Sequence, residues 1–323
     1  MRALRGKGPH PRASARRPPR VAYDEAMTAS ATLRALLSGP GLVQAPGAYD
    51  AHSARLIERA GFRVAYMTGF GASASRLGVP DTGLLSGKES TDHAAALAAA
   101  LRIPLVADAN TGYGNVANVQ RTVRTLARAG VAGVQIEDQE WPKRCGHTAG
   151  KRVVSRGEAA ARIRAAVDAR DRDGAGDIVV VARTDARAVH GFDDALDRCR
   201  AFEDAGADVV FLEAPASEDE MERACAAVSR PMLVNVLEGG ATPVLSPQAY
   251  EALGFRMAIY PLTLLYVVTA AIQEHLASGG AFAPWRGPLG FDELRALVGF
   301  PAYDALVRHY APREDAAEPP PRG

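Results

Sequence analysis

Residues 141–147 read WPKRCGH and set Cys145 among Lys143, Arg144 and His147. Neighbouring cations lower the pKa of a thiol and make it a usable nucleophile or proton carrier. In a solvated loop the same cysteine is merely structural. Carboxylates stand at Asp81, Asp108 and Glu137. A hard cation such as Mg2+ takes a carboxylate or a pair of them, several waters and the oxygens of its substrate. Paired histidines or cysteines at zinc spacing are missing, and His147 beside Cys145 is a weak zinc signal. Each acid alone also reads as half of a salt bridge. Arg183 ends the apolar run DIVVVARTD. Its guanidinium matches a carboxylate through parallel hydrogen bonds, whether in a ligand or in Asp185 or Glu213. The Gly-rich turn NTGYGN (110–115) precedes a helix and carries a weak anion-binding signal.

These residues need elements to hold them. From Leu42 onward, short apolar runs alternate with amphipathic Ala/Arg/Leu stretches. The runs lie at 41–46, 64–69, 104–109, 132–138, 177–185, 207–214, 231–238 and 255–261. They are β-branched and nearly continuous in hydrophobicity, as strands buried on both faces are. SARLIERAG, VQRTVRTLARAG and ALDRCRAFEDAG read as helices stopped by Gly61, Gly130 and Gly206 in the left-handed conformation. EAAARIRAAVDARD and PLTLLYVVTAAIQEHLA read as further helices. The alternation implies a parallel sheet, and about eight strand–helix units in roughly 240 residues fit an α/β fold of the closed (β/α)8, TIM-barrel type. A doubly wound open sheet is the runner-up, but no G-x-G-x-x-G follows the first strand.

A barrel places chemistry at the C-terminal ends of its strands. Those ends read Tyr66-Met67-Thr68-Gly69, Asp108-Ala109-Asn110, Glu137-Asp138, Arg183-Thr184-Asp185, Glu213 and Asn235. Acids that end buried strands are costly without a partner, which favours a shared site over ordinary polar loops. The loop from Gln139 to about Val153 is long for a strand-to-helix connection and reads as a lid over that face. Cys199 and Cys225 lie in helical stretches and read as small core residues.

Composition narrows the classes further. The chain has 323 residues, 47% of them hydrophobic, and a formal net charge of +1. That balance gives no footprint for nucleic acid or an anionic membrane surface, and no apolar run reaches the ~18 residues of a membrane helix. Three cysteines are too few for a disulfide framework and point to the reducing cytoplasm. The Arg/Pro-rich segment 1–29 reads as a disordered basic extension, with a transit peptide as a less fitting reading. The expected organisation then runs as a catalytic barrel over 30–285, a helical segment over 286–311 and a disordered tail over 312–323.

The stretch IEDQEWPKRCGHTAGKRVVS resembles the signature of the isocitrate lyase/phosphoenolpyruvate mutase superfamily, in its lyase branch. PGAYDAHSARLIERAGF, YMTGFGASASRLGVPDTG, ARTDA, NVLEGGATP and YPLTLL resemble family segments in family order, so the likeness runs from about Ala45 to His275. It is nearest to the 2-methylisocitrate lyase and petal-death-type branches, the latter cleaving 2-alkylmalates or oxaloacetate. The resemblance implies a barrel dependent on Mg2+, or on Mn2+ in its place. It also implies a homotetramer, a dimer of dimers that swap a C-terminal helix. Carried over by position, Asp108 is the principal metal ligand, with Asp81, Glu137 and Asn110 around it. Thr68, Gly69, Lys143, Gly146, Arg183, Glu213 and Asn235 become substrate contacts, and Cys145, Tyr66 and His147 become the catalytic group. Asn110 stands where the family often has aspartate, and Phe70 stands where many members have glycine.

The implied reaction is cleavage of a small 2-hydroxy di- or tricarboxylate to a 2-oxo acid and a carboxylate. Tyr66, or a base near it, helps remove the hydroxyl proton, and Cys145 protonates carbon once the lid closes. Hydrolysis of oxaloacetate to oxalate and acetate is the alternative. Less favoured are a phosphonate mutase reaction and a non-catalytic metabolite-binding role.

Overall fold

Gly61, Gly130 and Gly206 have φ of 92°, 83° and 90°. The helices therefore stop where the sequence expects them to stop. The structure is a computed structural model that describes residues 27–172, 174–277 and 287–310. The basic extension up to residue 26 and the tail from 311 lie outside the described residues.

The strands are β1 (Val43–Ala48), β2 (Ala65–Met67), β3 (Leu105–Asp108), β4 (Gly133–Glu137), β5 (Val179–Thr184), β6 (Val209–Leu212), β7 (Met232–Asn235) and β8 (Phe255–Tyr260). Each pairs in parallel with the next, and β1 pairs with β8 through Val43–Met257 to Pro46–Tyr260. The sheet is thus the closed eight-stranded barrel expected from the sequence. The open-sheet alternative falls, because both would-be edges are satisfied by each other. The first strand begins slightly later than its apolar run and continues to Ala48.

The helices in chain order are α1 (Ala29–Ser38), α2 (Ala51–Arg59), α3 (Gly69–Leu77), α4 (Gly87–Ala100), α5 (Val116–Arg128), α6 (Arg156–Asp171) and α7 (Arg187–His190). They continue with α8 (Phe192–Asp204), α9 (Glu218–Ala227), α10 (Pro247–Ala252), α11 (Thr263–Ala277), α12 (Phe291–Val298) and α13 (Phe300–His309). Two apolar layers form. Inside the barrel, Val43, Val106, Val179, Val181, Val209, Phe211, Leu233 and Met257 fill the axis. Leu33 and Leu37 of α1 join them, so this helix plugs the end where strands begin. Arg34 fixes the plug by donating to the carbonyls of Asp177 and Ile178 and to Asp208. The second layer packs between strands and outer helices and includes Leu97, Val123, Ile163, Phe202, Met221 and Tyr250. Burial on both strand faces explains the continuous apolar runs. It leaves the opposite, C-terminal rim as the open end.

The chain divides into compact units between Leu264 and Leu265. No described side chain of α11, α12 or α13 is buried. Within the second unit, Arg295 lies over the rings of Phe291 and Phe300 and pairs with Asp304. Among the described residues, no helix is long and apolar enough to cross a membrane.

Candidate active site

The rim residues come from successive strand ends and meet over the barrel axis. Tyr66 ends in the pocket from β2, and its hydroxyl donates to Gln135 Oε1 at 3.1 Å. Burial, reinforced by Asp108, pushes its phenol well above the ordinary range. Tyr66 thus stands at the rim as a protonated hydrogen-bond donor. Thr68 caps α3 by accepting from the Gly71 amide at 3.2 Å. Gly69 follows because a Cβ there would stand 2.6 Å from Asp108 Oδ2. The helix start is thus held against the β3 carboxylate.

Asp108, Asn110 and Glu137 form one buried oxygen group. Asp108 accepts from the Asn110 amide at 2.9 Å, and Asn110 Nδ2 donates to Tyr113 at 2.8 Å. Asn110 adopts φ 50°, a left-handed conformation that asparagine tolerates. Its Oδ1 and both Glu137 carboxylate oxygens are buried with no hydrogen-bond partner among the described residues. Burial raises the Asp108 pKa and pushes Glu137 up to about 8, against the pull of Arg183 and Lys143. Buried acceptors left open in this way are a standing cost that a ligand can relieve. No group of three His, Cys, Asp or Glu side chains among the described residues is arranged to hold a metal ion. That does not conflict with Mg2+, which usually keeps waters and needs few carboxylates. The oxygen donors Asp108, Glu137 and Asn110 fit such an ion. Asp81 is buried nearby as the ion-pair partner of Lys143.

The loop after β4 is folded down over this group. Its feet are tied by a Gln139–Val153 bridge and by the Glu140 amide on the Arg152 carbonyl at 2.9 Å. Gln139 also holds Arg144 by donating to its carbonyl at 2.9 Å and accepting from its amide at 3.0 Å. Lys143 is only 3% exposed. Burial works against its charge, but Asp81, Glu137 and Asp108 outweigh that and hold the ammonium above its ordinary range. His147 lies 3.1 Å from Glu213 Oε1, and its Nδ1 accepts from the Ala241 amide at 3.4 Å. Asn235 Nδ2 sits 3.3 Å from both Glu213 oxygens.

Cys145 lies on this lid, is half-buried and lines the pocket. Its cation-rich sequence suggested a depressed pKa, but the fold reverses that. Burial pushes the thiol up, Asp81 adds to the rise, and the His147 amide, Arg183 and Lys143 do not offset it. Lys143 is spent on Asp81, and Arg144 points outward beside Ala149. The thiol is thus a held proton rather than a ready thiolate.

Arg183 forms the buried pair with both Asp185 and Glu213. Nε and Nη2 meet Asp185 at 3.0 and 3.1 Å, Nη2 meets Glu213 at 3.0 Å, and Nη1 lies 3.5 Å from Glu137. Burial works against Glu213 ionising, but Arg183 and His147 hold it below its ordinary range. The NTGYGN turn stays outside the pocket lining, and Asn115 spends its side chain capping α5.

Sequence reasoning missed the residues that brace the lid from behind. Asp138 is buried and accepts from Thr184 Oγ1 at 2.7 Å, the Asp185 amide at 2.9 Å and Arg198 at 3.0 Å. Arg198 also donates to the Val154 carbonyl at 2.8 Å. Its position on an otherwise ordinary helix gave no signal. Replacing Arg198 with methionine leaves a buried carboxylate without its cation, so it should cost about 3–5 kcal/mol in a urea unfolding series.

Comparison with known proteins agrees with this arrangement. The family model described as phosphoenolpyruvate phosphomutase matches residues 33–278. A 2,3-dimethylmalate lyase of Eubacterium barkeri is 48% identical over 248 residues, covering 77% of this chain and 85% of that protein. A structure of oxaloacetate acetylhydrolase in complex with the inhibitor 3,3-difluorooxalacetate superposes with a TM-score of 0.84 at 37% identity, covering 89% of this chain and 98% of the other. A phosphonopyruvate hydrolase complex with oxalate and Mg2+ gives a TM-score of 0.75 at 29% identity, covering 88% and 99%. With its closed parallel barrel, its lid cysteine and these matches, the chain belongs to the phosphoenolpyruvate mutase/isocitrate lyase superfamily and has lyases among its relatives.

Proposed function

We propose that this protein is a Mg2+-dependent carbon–carbon lyase that cleaves an alkyl-substituted 2-hydroxydicarboxylate, with Cys145 as the acid that protonates carbon. The observation that carries it is Cys145 brought by the closed lid into the pocket lining with Asp108, near buried oxygen donors left without partners. A lyase relative at 48% identity supports the reaction class. A bound Mg2+ held by Asp108, with Glu137, Asn110 and Asp81 around it, supplies stabilisation of the negative charge that develops on substrate oxygens.

Arg183 offers its remaining N–H groups to a substrate carboxylate, kept in place by Asp185. Tyr66 acts as a hydrogen-bonding group, and a pocket carboxylate takes the C2 hydroxyl proton. The C2–C3 bond breaks, and C2 with its oxygen becomes a 2-oxo acid. C3 keeps the electron pair as an enolate-like carboxylate and takes the Cys145 proton. His147 and Glu213 anchor the lid so that water stays out while C3 is reactive. With the lid down the pocket offers a volume of only ≈ 40 Å3. That is room for a few waters, so substrate enters with the lid raised.

The preference for alkyl substituents rests on the wall formed by Phe70, Leu237, Ile259, Pro261 and Leu262. A third carboxylate there would face apolar groups, and Lys143 is already engaged by Asp81. The panel test is release of 2-oxo acid from 2,3-dimethylmalate, other 2-alkylmalates, 2-methylisocitrate and oxaloacetate. Turnover should be lost with EDTA and restored by Mg2+. Oxalate release from oxaloacetate, without 2-oxo acid from any alkylmalate, would instead favour the hydrolase reading suggested by the acetylhydrolase likeness.

We also propose a helix-exchanging tetramer in the cytoplasm. Supporting it are the unburied faces of α11, α12 and α13, with Phe291 and Tyr303 largely exposed, and free cysteines throughout. Light scattering after size exclusion should give about four times the 34.0 kDa chain mass.

A further inference from the structure

Lys151 belongs neither to the pocket lining nor to the cysteine motif, yet it is among the most buried charges of the lid. Its side chain is 2% exposed, and its ammonium donates to Asp185 Oδ1 at 2.9 Å and to the Gly146 carbonyl. Asp185 is fully buried and is the carboxylate that Arg183 grips through Nε and Nη2. Its own amide is fixed on Asp138. One carboxylate therefore joins the substrate-facing guanidinium, the barrel wall and the lid. The carbonyl that Lys151 holds belongs to the residue next to Cys145. Lys151 itself stands beside Arg152, whose carbonyl is tied to Glu140 at the foot of the lid. The lever is short and its base is fixed.

The structure assigns Lys151 as the latch of the lid, a positioning residue that draws the Gly146 carbonyl onto Asp185 and so sets Cys145 over the pocket. A buried ammonium requires its carboxylate, and Asp185 is kept ionised by Arg183 as well as by Lys151. When the lid rises, Lys151 regains water while Asp185 keeps Arg183. The moving half is then the lysine and the fixed half is the aspartate.

The role of the latch rests on the lid reading of Cys145, and its primary test requires no turnover. Iodoacetamide labelling of Cys145, followed on its peptide by mass spectrometry, reads how often the lid opens. In Lys151→Met, labelling should accelerate about 10-fold, with Cys199 and Cys225 labelling unchanged. On a cleaved substrate, kcat should fall about 10- to 100-fold with KM within about three-fold, because the lid acts after binding. Lys151→Arg, which keeps charge and donors, should recover part of both. An unchanged Cys145 labelling rate in folded Lys151→Met overturns the latch. If that variant does not fold, the same labelling on Lys151→Gln, neutral but still a donor, decides: a wild-type rate overturns the latch and a faster one supports it. A protein inactive on every substrate but showing the accelerated labelling would refute the lyase reading and leave the latch standing.

Discussion

Replacing Cys145 with serine should lower kcat by about 10²- to 10⁴-fold, the usual worth of a positioned general acid, with KM within a few-fold. A hydroxyl in the same place is a far weaker acid, and the lid contacts through Lys143, His147 and Lys151 are untouched. The pH profile carries the sign of the thiol shift. Burial raises the Cys145 pKa, so the proton is retained through neutral pH and is lost only above the ordinary thiol range near ~8.5. Activity should therefore hold across neutral pH and fall on the alkaline side. Steady-state release of 2-oxo acid from pH 6 to about 10 measures this. A serine variant within a few-fold of wild type would remove Cys145 from the chemistry.

Gly146→Ala should be nearly as damaging, for a steric reason. An alanine Cβ at this position would stand 2.3 Å from Arg183 Nη2 and 2.8 Å from Glu213 Oε2. Both neighbours are locked, Arg183 by Asp185 and Glu213 by His147 and Asn235. The lid must then ride up, carrying Cys145 away from the carbon it protonates. A misplacement of about 1 Å is enough to cost ~10²-fold in kcat. The barrel core is not involved, so the thermal midpoint should stay within a few degrees. Circular dichroism melting beside single-turnover kinetics separates the two. Wild-type kcat in Gly146→Ala would mean that the closed lid is not the working state.

The barrel was legible because its strands are buried on both faces. Nothing but continuous apolar runs satisfies that environment, and Gly61, Gly130 and Gly206 punctuate them at helix ends. The pocket members could be read for a related reason. Asp108, Arg183, Glu213 and Asn235 break those runs at one end, and a parallel barrel must bring such ends together.

By itself the sequence determined the strand–helix order, the polar rim and the Lys143–His147 motif, because these depend on residue type at short spacing. The tertiary structure alone decided what each charge does. Lys143 beside Cys145 in the chain is spent on Asp81, across the rim, and burial then outweighs the remaining cations at the thiol. Lys151 and Arg198 gained their parts only when the chain folded back to Asp185 and Asp138. Electrostatics in a low-dielectric pocket depend on distance in space and on lost water. Neither quantity is written in the order of the residues.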